Sequence, residues 1–245
     1  MAVDIEGKVA LVTGAAKRVG RSVALALAER GAELAVHYRT SERDAHEVLA
    51  LAKKLGGKPV AVRADLASSA EIAAMVDTVM RAFGRVDILV NSAAIFYRTP
   101  FPTLTEADWN RFLAINLTAP FLLCRQVGEI MSRQGHGKIL NVADIAGIKV
   151  WADFIPYSVS KAGLLALTTG LAKALAPAVQ VNAVAPGVVL LPDDSTPEEQ
   201  ARAAQRVPLR RLGAPEDIAR AALYLIESDF VTGDVLTVDG GRRLL

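Results

Sequence analysis

KVALVTGAAKRVG, residues 8–20, decides the fold of this chain. Its first half is a short run rich in β-branched and aliphatic residues, the composition of a strand buried on both faces. Its second half changes period. Residues 18–30 carry apolar side chains at helical spacing and stop at Gly31, a helix terminator. Between the two lies a turn from Thr13 to Gly20. Gly14 permits the tight turn and Gly20 lets the following helix come close. The first turn of that helix offers free N–H groups to an anion such as a pyrophosphate. The spacing is not GxGxxG, so the turn alone does not separate a phosphate cradle from a structural turn.

The same alternation continues outward from this unit. Strands are expected at 33–38, 60–66, 87–93, 138–144, 179–186 and 235–241. Helices are expected at 41–55, 69–83, about 105–133 and about 156–176. Seven strands separated by helices predict an α/β chain: one Rossmann-type, doubly wound domain over residues 1–245, with a seven-stranded parallel sheet and helices on both faces. One segment departs from the pattern. Thr196-Pro197-Glu198-Glu199 reads as a capped helix start, with Pro in the first turn and Glu three residues after the cap. A short polar helix after a strand's carboxyl end predicts a substrate lid at about 188–213; a plain surface helix is the alternative.

Composition narrows the function. The net charge of +2 is too small to imply a nucleic-acid or membrane partner. No apolar run reaches the length of a membrane span, and the N-terminus lacks a signal-peptide pattern. Cys124 is the only cysteine, so disulfide frameworks and cysteine zinc sites are excluded and no metal is expected. Cys124 lies in the apolar run AINLTAPFLLC and reads as a core residue. The expected setting is cytoplasmic.

In doubly wound sheets ligands bind at the carboxyl ends of the strands. An NAD site places Asp or Glu after the second strand; here His37-Tyr38-Arg39-Thr40-Ser41 contains no acid. A guanidinium beside two hydroxyls suits a 2′-phosphate, and Lys17 and Arg18 add positive charge. The cofactor predicted is therefore NADPH. Asp65 and Asn91, at the ends of the third and fourth strands, are expected to flank its adenosine and nicotinamide halves. Tyr157 and Lys161 stand four residues apart on a helix, hence on one face. A nearby ammonium favours phenolate, which predicts a lowered tyrosine pKa and a general acid usable near neutral pH.

Together these residues resemble the short-chain dehydrogenase/reductase family over essentially the whole chain. TGAAKRVG resembles its cofactor loop, Asp65 its adenine contact, NSAA (91–94) its fourth-strand motif, and Pro186-Gly187 the turn beside the nicotinamide. Asn116, Tyr157 and Lys161 match the catalytic Asn, Tyr and Lys. The resemblance implies that Lys161 also holds the nicotinamide ribose, and that Asn116 anchors a water feeding protons to Lys161. It implies cofactor contacts at Gly14, Val19, Gly20, Leu66, Ala93, Tyr157 and Val189, and a homotetramer.

Three departures point to a subgroup. Arg18 stands where the family usually has glycine, NSAA replaces NNAG, and Asp144 replaces the serine thirteen residues before Tyr157. An ionised carboxylate would repel a developing alkoxide, whereas a carboxyl beside Tyr157 suits proton relay to a C=N bond. The alternative is that Asp144 turns away and caps the next loop. These departures resemble pteridine reductases, which implies Arg18, Phe96, Asp144 and Tyr157 as substrate contacts, with Phe96 stacking on the ring. The expected function is hydride transfer from NADPH to a pterin-like, dihydropteridine or folate-type substrate. A carbonyl reductase such as a 3-oxoacyl-thioester reductase is the alternative, and a non-catalytic NADP-binding protein is a third.

Overall fold

The computed structural model describes residues 3–191 and 195–245. Strand β1 (Val9–Val12) leads through the glycine turn into helix α1 (Arg18–Glu29), as its composition requires. Then follow β2 (Glu33–Tyr38), α2 (Glu42–Lys54), β3 (Val60–Arg63), α3 (Ser69–Phe83) and β4 (Ile88–Asn91). The second half holds α4 (Glu106–Leu113), α5 (Ala119–Gln134), β5 (Gly137–Val142), α6 (Ile155–Ala174) and β6 (Val179–Pro186). It ends with α7 (Pro197–Gln205), α8 (Pro215–Glu227) and β7 (Val235–Val238). All seven strands pair in parallel, in the order β3-β2-β1-β4-β5-β6-β7. The order reverses between β1 and β4, and their carboxyl ends open the crevice where doubly wound sheets hold ligands.

Successive side chains of a strand face opposite sides, and β1 shows the consequence. Ala10 and Val12 pack into a core with Val23 and Leu27 of α1, Val48 of α2 and Ile218 of α8. Val9 and Leu11 pack into the opposite core with Ile72 of α3 and Leu123 of α5. Both faces are covered, which is why the strands read as continuous apolar runs. Cys124 is fully buried on the second face, and burial pushes its thiol up to about 12. It is a packing residue.

Three sequence expectations change. The long helix at 105–133 is two helices joined by a π-helical turn, Ala114–Thr118. Pro120, in the first turn of α5, supplies no backbone N–H to the ladder there. β3, β4, β5 and β7 end two or three residues before their expected limits, where the chain turns into the loops at the carboxyl edge of the sheet. Helix α8 is additional to the expected helices; its Ile218, Ala222, Leu225 and Ile226 recur at helical spacing and all are buried. Its cap is Ala214, so the usual Ser/Thr signal is missing. The α7 start is as expected: the Thr196 hydroxyl accepts from the Glu199 N–H, and the Glu199 carboxylate accepts from the Thr196 N–H. Among the described residues no helix is long and apolar enough to cross a membrane.

Candidate active site

A cavity of about 620 Å³ opens at the carboxyl ends of the strands. Its floor is the β1–α1 turn. Gly14 takes a left-handed φ of 64°, and a Cβ there would lie 2.9 Å from the Ala93 backbone. A Cβ on Gly20 would run into the Gly14 carbonyl. Two glycines are therefore needed to bring turn, helix and fourth strand together, leaving the cradle open to a ligand. Thr13 ties the two strand ends: its hydroxyl oxygen accepts from the N–H groups of Ser92, at 2.9 Å, and Ala93, at 3.1 Å. His37 braces the turn. Its Nδ1 accepts from the Gly14 N–H at 3.0 Å, and its Nε2 lies 3.1 Å from the Ala64 carbonyl. This fixes the Nε2–H tautomer, and burial lowers the His37 pKa, in keeping with a neutral ring. The sequence reading missed this role of His37.

Most expected residues meet in this cavity. Gly14, Lys17, Arg18, Val19, Gly20, Arg39, Asp65, Leu66, Ala93, Phe96, Asp144, Tyr157, Lys161, Pro186, Gly187 and Val189 all line it. Tyr38, Thr40 and Ser41 do not: Tyr38 packs against the core, and Ser41 precedes α2 as its cap residue. Lys17 pairs with Asp44 of α2 at 3.2 Å, and Arg39 lies 4.0 Å from Asp65. These are exposed pairs, worth at most about 1 kcal/mol each, so a phosphate can compete for either cation.

Two asparagines turn away from the cavity. Asn91 is buried between sheet and helices, donating to Asn141 at 2.9 Å and to the Cys124 sulfur at 3.3 Å. The Asn116 side chain closes on the backbone of Ile95, accepting its N–H at 2.9 Å and donating to its carbonyl at 3.1 Å. It also donates to Ser160 at 3.2 Å. In this arrangement the Asn116 amide fastens the loop after β4 to α6 through the π-helical turn, a device common near functional sites.

Asp144, Tyr157 and Lys161 are brought together as expected, with two corrections. Asp144 does not choose between capping and chemistry: one carboxylate oxygen accepts from the Ala146 N–H at 2.7 Å, the other from the Tyr157 hydroxyl at 2.9 Å. Nor is the Tyr157 pKa lowered. Burial raises it well above the ordinary tyrosine value, and the Asp144 charge and hydrogen bond add to the rise. Lys161 lies 5.7 Å from the ring centroid, donates to the Val142 carbonyl at 2.8 Å, and is brought down by burial to about 8, against the pull of Asp144. Burial likewise raises Asp144.

Arg18 has the left-handed φ of 53° that its glycine-like position demands, and it donates to the Leu190 carbonyl at 3.0 Å. A non-glycine residue there costs about 1–2 kcal/mol, and such strain gathers at functional sites. Arg18→Gly should therefore leave thermal stability within about 1 kcal/mol of the parent, relief of strain offsetting the freer unfolded chain. On the expectation that Arg18 contacts the substrate, KM should rise about tenfold, the worth of one charge-assisted contact. A large fall in melting temperature would make Arg18 a structural residue instead.

Fold and site define a dinucleotide-binding oxidoreductase with a buried tyrosine–lysine pair. A family model described as enoyl-(acyl carrier protein) reductase matches residues 14–243. The 3beta-hydroxysteroid dehydrogenase 1 of Eggerthella lenta is 35% identical, over 98% of this chain and 95% of that protein. A 3-oxoacyl-[acyl-carrier-protein] reductase of Synechocystis is 36% identical, over 97% of each. A solved structure from Sinorhizobium meliloti 1021, described provisionally as a short-chain alcohol dehydrogenase, superposes with a TM-score of 0.92 at 33% identity, over 98% of this chain and 97% of that one. The chain belongs to the short-chain dehydrogenase/reductase family of nicotinamide-dependent oxidoreductases. None of these relatives is a pteridine reductase, and they favour carbonyl chemistry over the pterin expectation.

Proposed function

We propose that this chain is an NADPH-dependent carbonyl reductase in which Tyr157 supplies the proton. The observation that carries it is the buried Tyr157–Lys161 pair at the wall of the same cavity whose floor is the Gly14–Gly20 cradle. That cradle fits a pyrophosphate, and Arg39, paired only loosely with Asp65 at 4.0 Å and with no acid at the end of β2, fits a 2′-phosphate. The bound nicotinamide would supply the hydride. Tyr157 holds a proton at Oη and passes it to the substrate oxygen as the alkoxide forms. The Lys161 ammonium stabilises the phenolate left behind. Asp144 must be neutral to help: burial raises its pKa, and a neutral carboxyl donates a hydrogen bond where the family's serine would. The Synechocystis relative makes a 3-oxoacyl thioester the first substrate to try.

A specific observation favours a second reading, reduction of a pterin-like ring. The Asp144 carboxyl accepts the Tyr157 hydroxyl in the same cavity as Arg18 and Phe96. Such a carboxyl relays a proton to a ring nitrogen more readily than it tolerates an alkoxide. The experiment follows NADPH and NADH oxidation with a 3-oxoacyl thioester and with dihydrobiopterin, in the parent and in Asp144→Ser. Thioester turnover kept in Asp144→Ser supports the carbonyl reading. Pterin turnover lost in Asp144→Ser moves the assignment to the second reading, and a preference for NADH overturns the cofactor.

The proposal extends to a lid at 188–213. Val188–Leu191 line the cavity and α7 buries no residue; residues 192–194 of that span lie outside the described residues. It extends also to a cytoplasmic homotetramer. Phe121 of α5 and Val159 of α6 are exposed apolar side chains that an assembly would cover. A monomer mass in sedimentation velocity would overturn that assembly.

A further inference from the structure

One wall of the cavity is built from aromatic rings that neither the cofactor cradle nor the proton chemistry uses. Phe96 and Trp151 line the cavity. Phe154 stands behind them, stacked on Phe96 with centroids 4.7 Å apart and planes 1° from parallel. Trp151 meets both rings edge-on, at 6.5 Å from Phe96 and 5.9 Å from Phe154. The Tyr157 ring meets Phe96 at 4.8 Å and 71°. The wall thus runs directly into the proton donor. Phe96 is nevertheless 56% exposed, a large apolar surface left open inside a concave site.

The backbone holds this wall in place before any ligand arrives. The loop after β4 and the loop before α6 are pinned by a bridge between Thr99 and Phe154, with the Thr99 N–H donating to the Asp153 carbonyl at 2.7 Å. Arg98 grips the Asp153 carboxylate through two nitrogens, at 2.8 and 3.1 Å. A tight turn closes the segment, with the Phe154 N–H on the Trp151 carbonyl at 3.0 Å. The Trp151 N–H in turn donates to Ser158 at 3.3 Å. Rings held this way need not be ordered on binding, so their contacts count almost in full toward affinity.

We infer that Trp151 is a specificity-determining residue, and that with Phe96 it selects a substrate carrying a flat conjugated ring next to the bond that is reduced. Stacked and edge-on ring contacts favour a planar π-system over a flexible alkyl chain of equal area. Arg18, in the same cavity, adds a planar guanidinium of the kind that stacks on such rings. The inference rests on the reductase reading and narrows it. An aryl ketone or a conjugated heterocycle fits this wall, while a short aliphatic oxoacyl group leaves it unused.

The test uses the intact protein. Trp109→Phe leaves Trp151 as the single tryptophan, so its fluorescence, corrected for absorbance, reports this wall alone. With saturating NADP+, benzoylacetyl thioester and dihydrobiopterin are expected to quench Trp151, and acetoacetyl thioester is not. In turnover, Trp151→Ala should raise KM for the benzoylacetyl thioester about tenfold, a common worth for a ring contact in a dry site. It should raise KM for the acetoacetyl thioester far less. Trp151→Phe should restore the ring preference, which separates loss of the wall from loss of fold. Equal effects on both thioesters, no effect on either, or quenching that ignores the ring would overturn the inference while leaving the reductase reading intact. Ring-selective quenching without turnover of any substrate would support the ring subsite and defeat the reductase reading instead.

Discussion

Replacing Tyr157 with phenylalanine is expected to lower kcat by about two to four orders of magnitude, the usual worth of a positioned proton donor. That corresponds to about 3–5 kcal/mol of transition-state stabilisation. Phenylalanine keeps the ring and its contacts with Phe96 and Phe112. Only the hydroxyl and its bond to Asp144 go. The cost to stability should be about 1–3 kcal/mol, from leaving a buried carboxyl oxygen without its donor, so the variant should still fold and bind its nicotinamide cofactor. The measurement is kcat beside cofactor affinity by titration. A loss of both together would mean that Tyr157 acts by holding the site's shape and not by moving a proton.

The second large effect is expected from Asp144→Asn, and it is an effect on pH dependence. Burial brings the Lys161 pKa down to about 8, and in the proposed mechanism its ammonium is the form that supports Tyr157. The kcat/KM profile of the parent should therefore fall on the alkaline side from about pH 8. The Asp144 charge opposes the lowering of Lys161, so Asp144→Asn should move that limb to lower pH. It should also let Tyr157 fall back toward its ordinary value, since both charge and hydrogen bond from Asp144 raise it. A moved limb would show that Asp144 is ionised where Lys161 titrates and would favour the second reading. An unmoved limb would show that Asp144 is neutral there, the state the carbonyl reading needs, or that another group controls the limb. Stability carries the same signature. The folded Lys161 holds its proton less tightly than the unfolded one, so its contribution should make stability rise with pH between about 8 and the ordinary lysine value of 10.5. Asp144 has the opposite sign. Its folded pKa is raised, so its contribution is lost as pH climbs through that raised value.

These three groups also show where tertiary contacts overrule local spacing. The i,i+4 spacing of Tyr157 and Lys161 places them on one helical face, and from that alone a lowered tyrosine pKa follows. Burial and Asp144, thirteen residues away across a loop, reverse the direction. Asn91 and Asn116 give the same lesson. Their positions in the chain match the family's pattern, but their amides satisfy neighbours inside the fold, Asn141 for one and Ile95 and Ser160 for the other.

By itself the sequence determined the alternation of strands and helices, the parallel sheet, the glycine cradle, the missing acid after β2 and the shared face of Tyr157 and Lys161. Each depends on geometry within one element or one tight turn, where residue type and spacing leave few conformations. The tertiary structure alone decided that Asp144 caps a turn and binds Tyr157 at once. It alone braced the cradle with His37 and split the long helix at Asn116. It also closed Phe96, Trp151 and Phe154 into one wall. Those outcomes depend on how loops far apart in the chain meet, and on which buried polar groups must find each other once water is excluded.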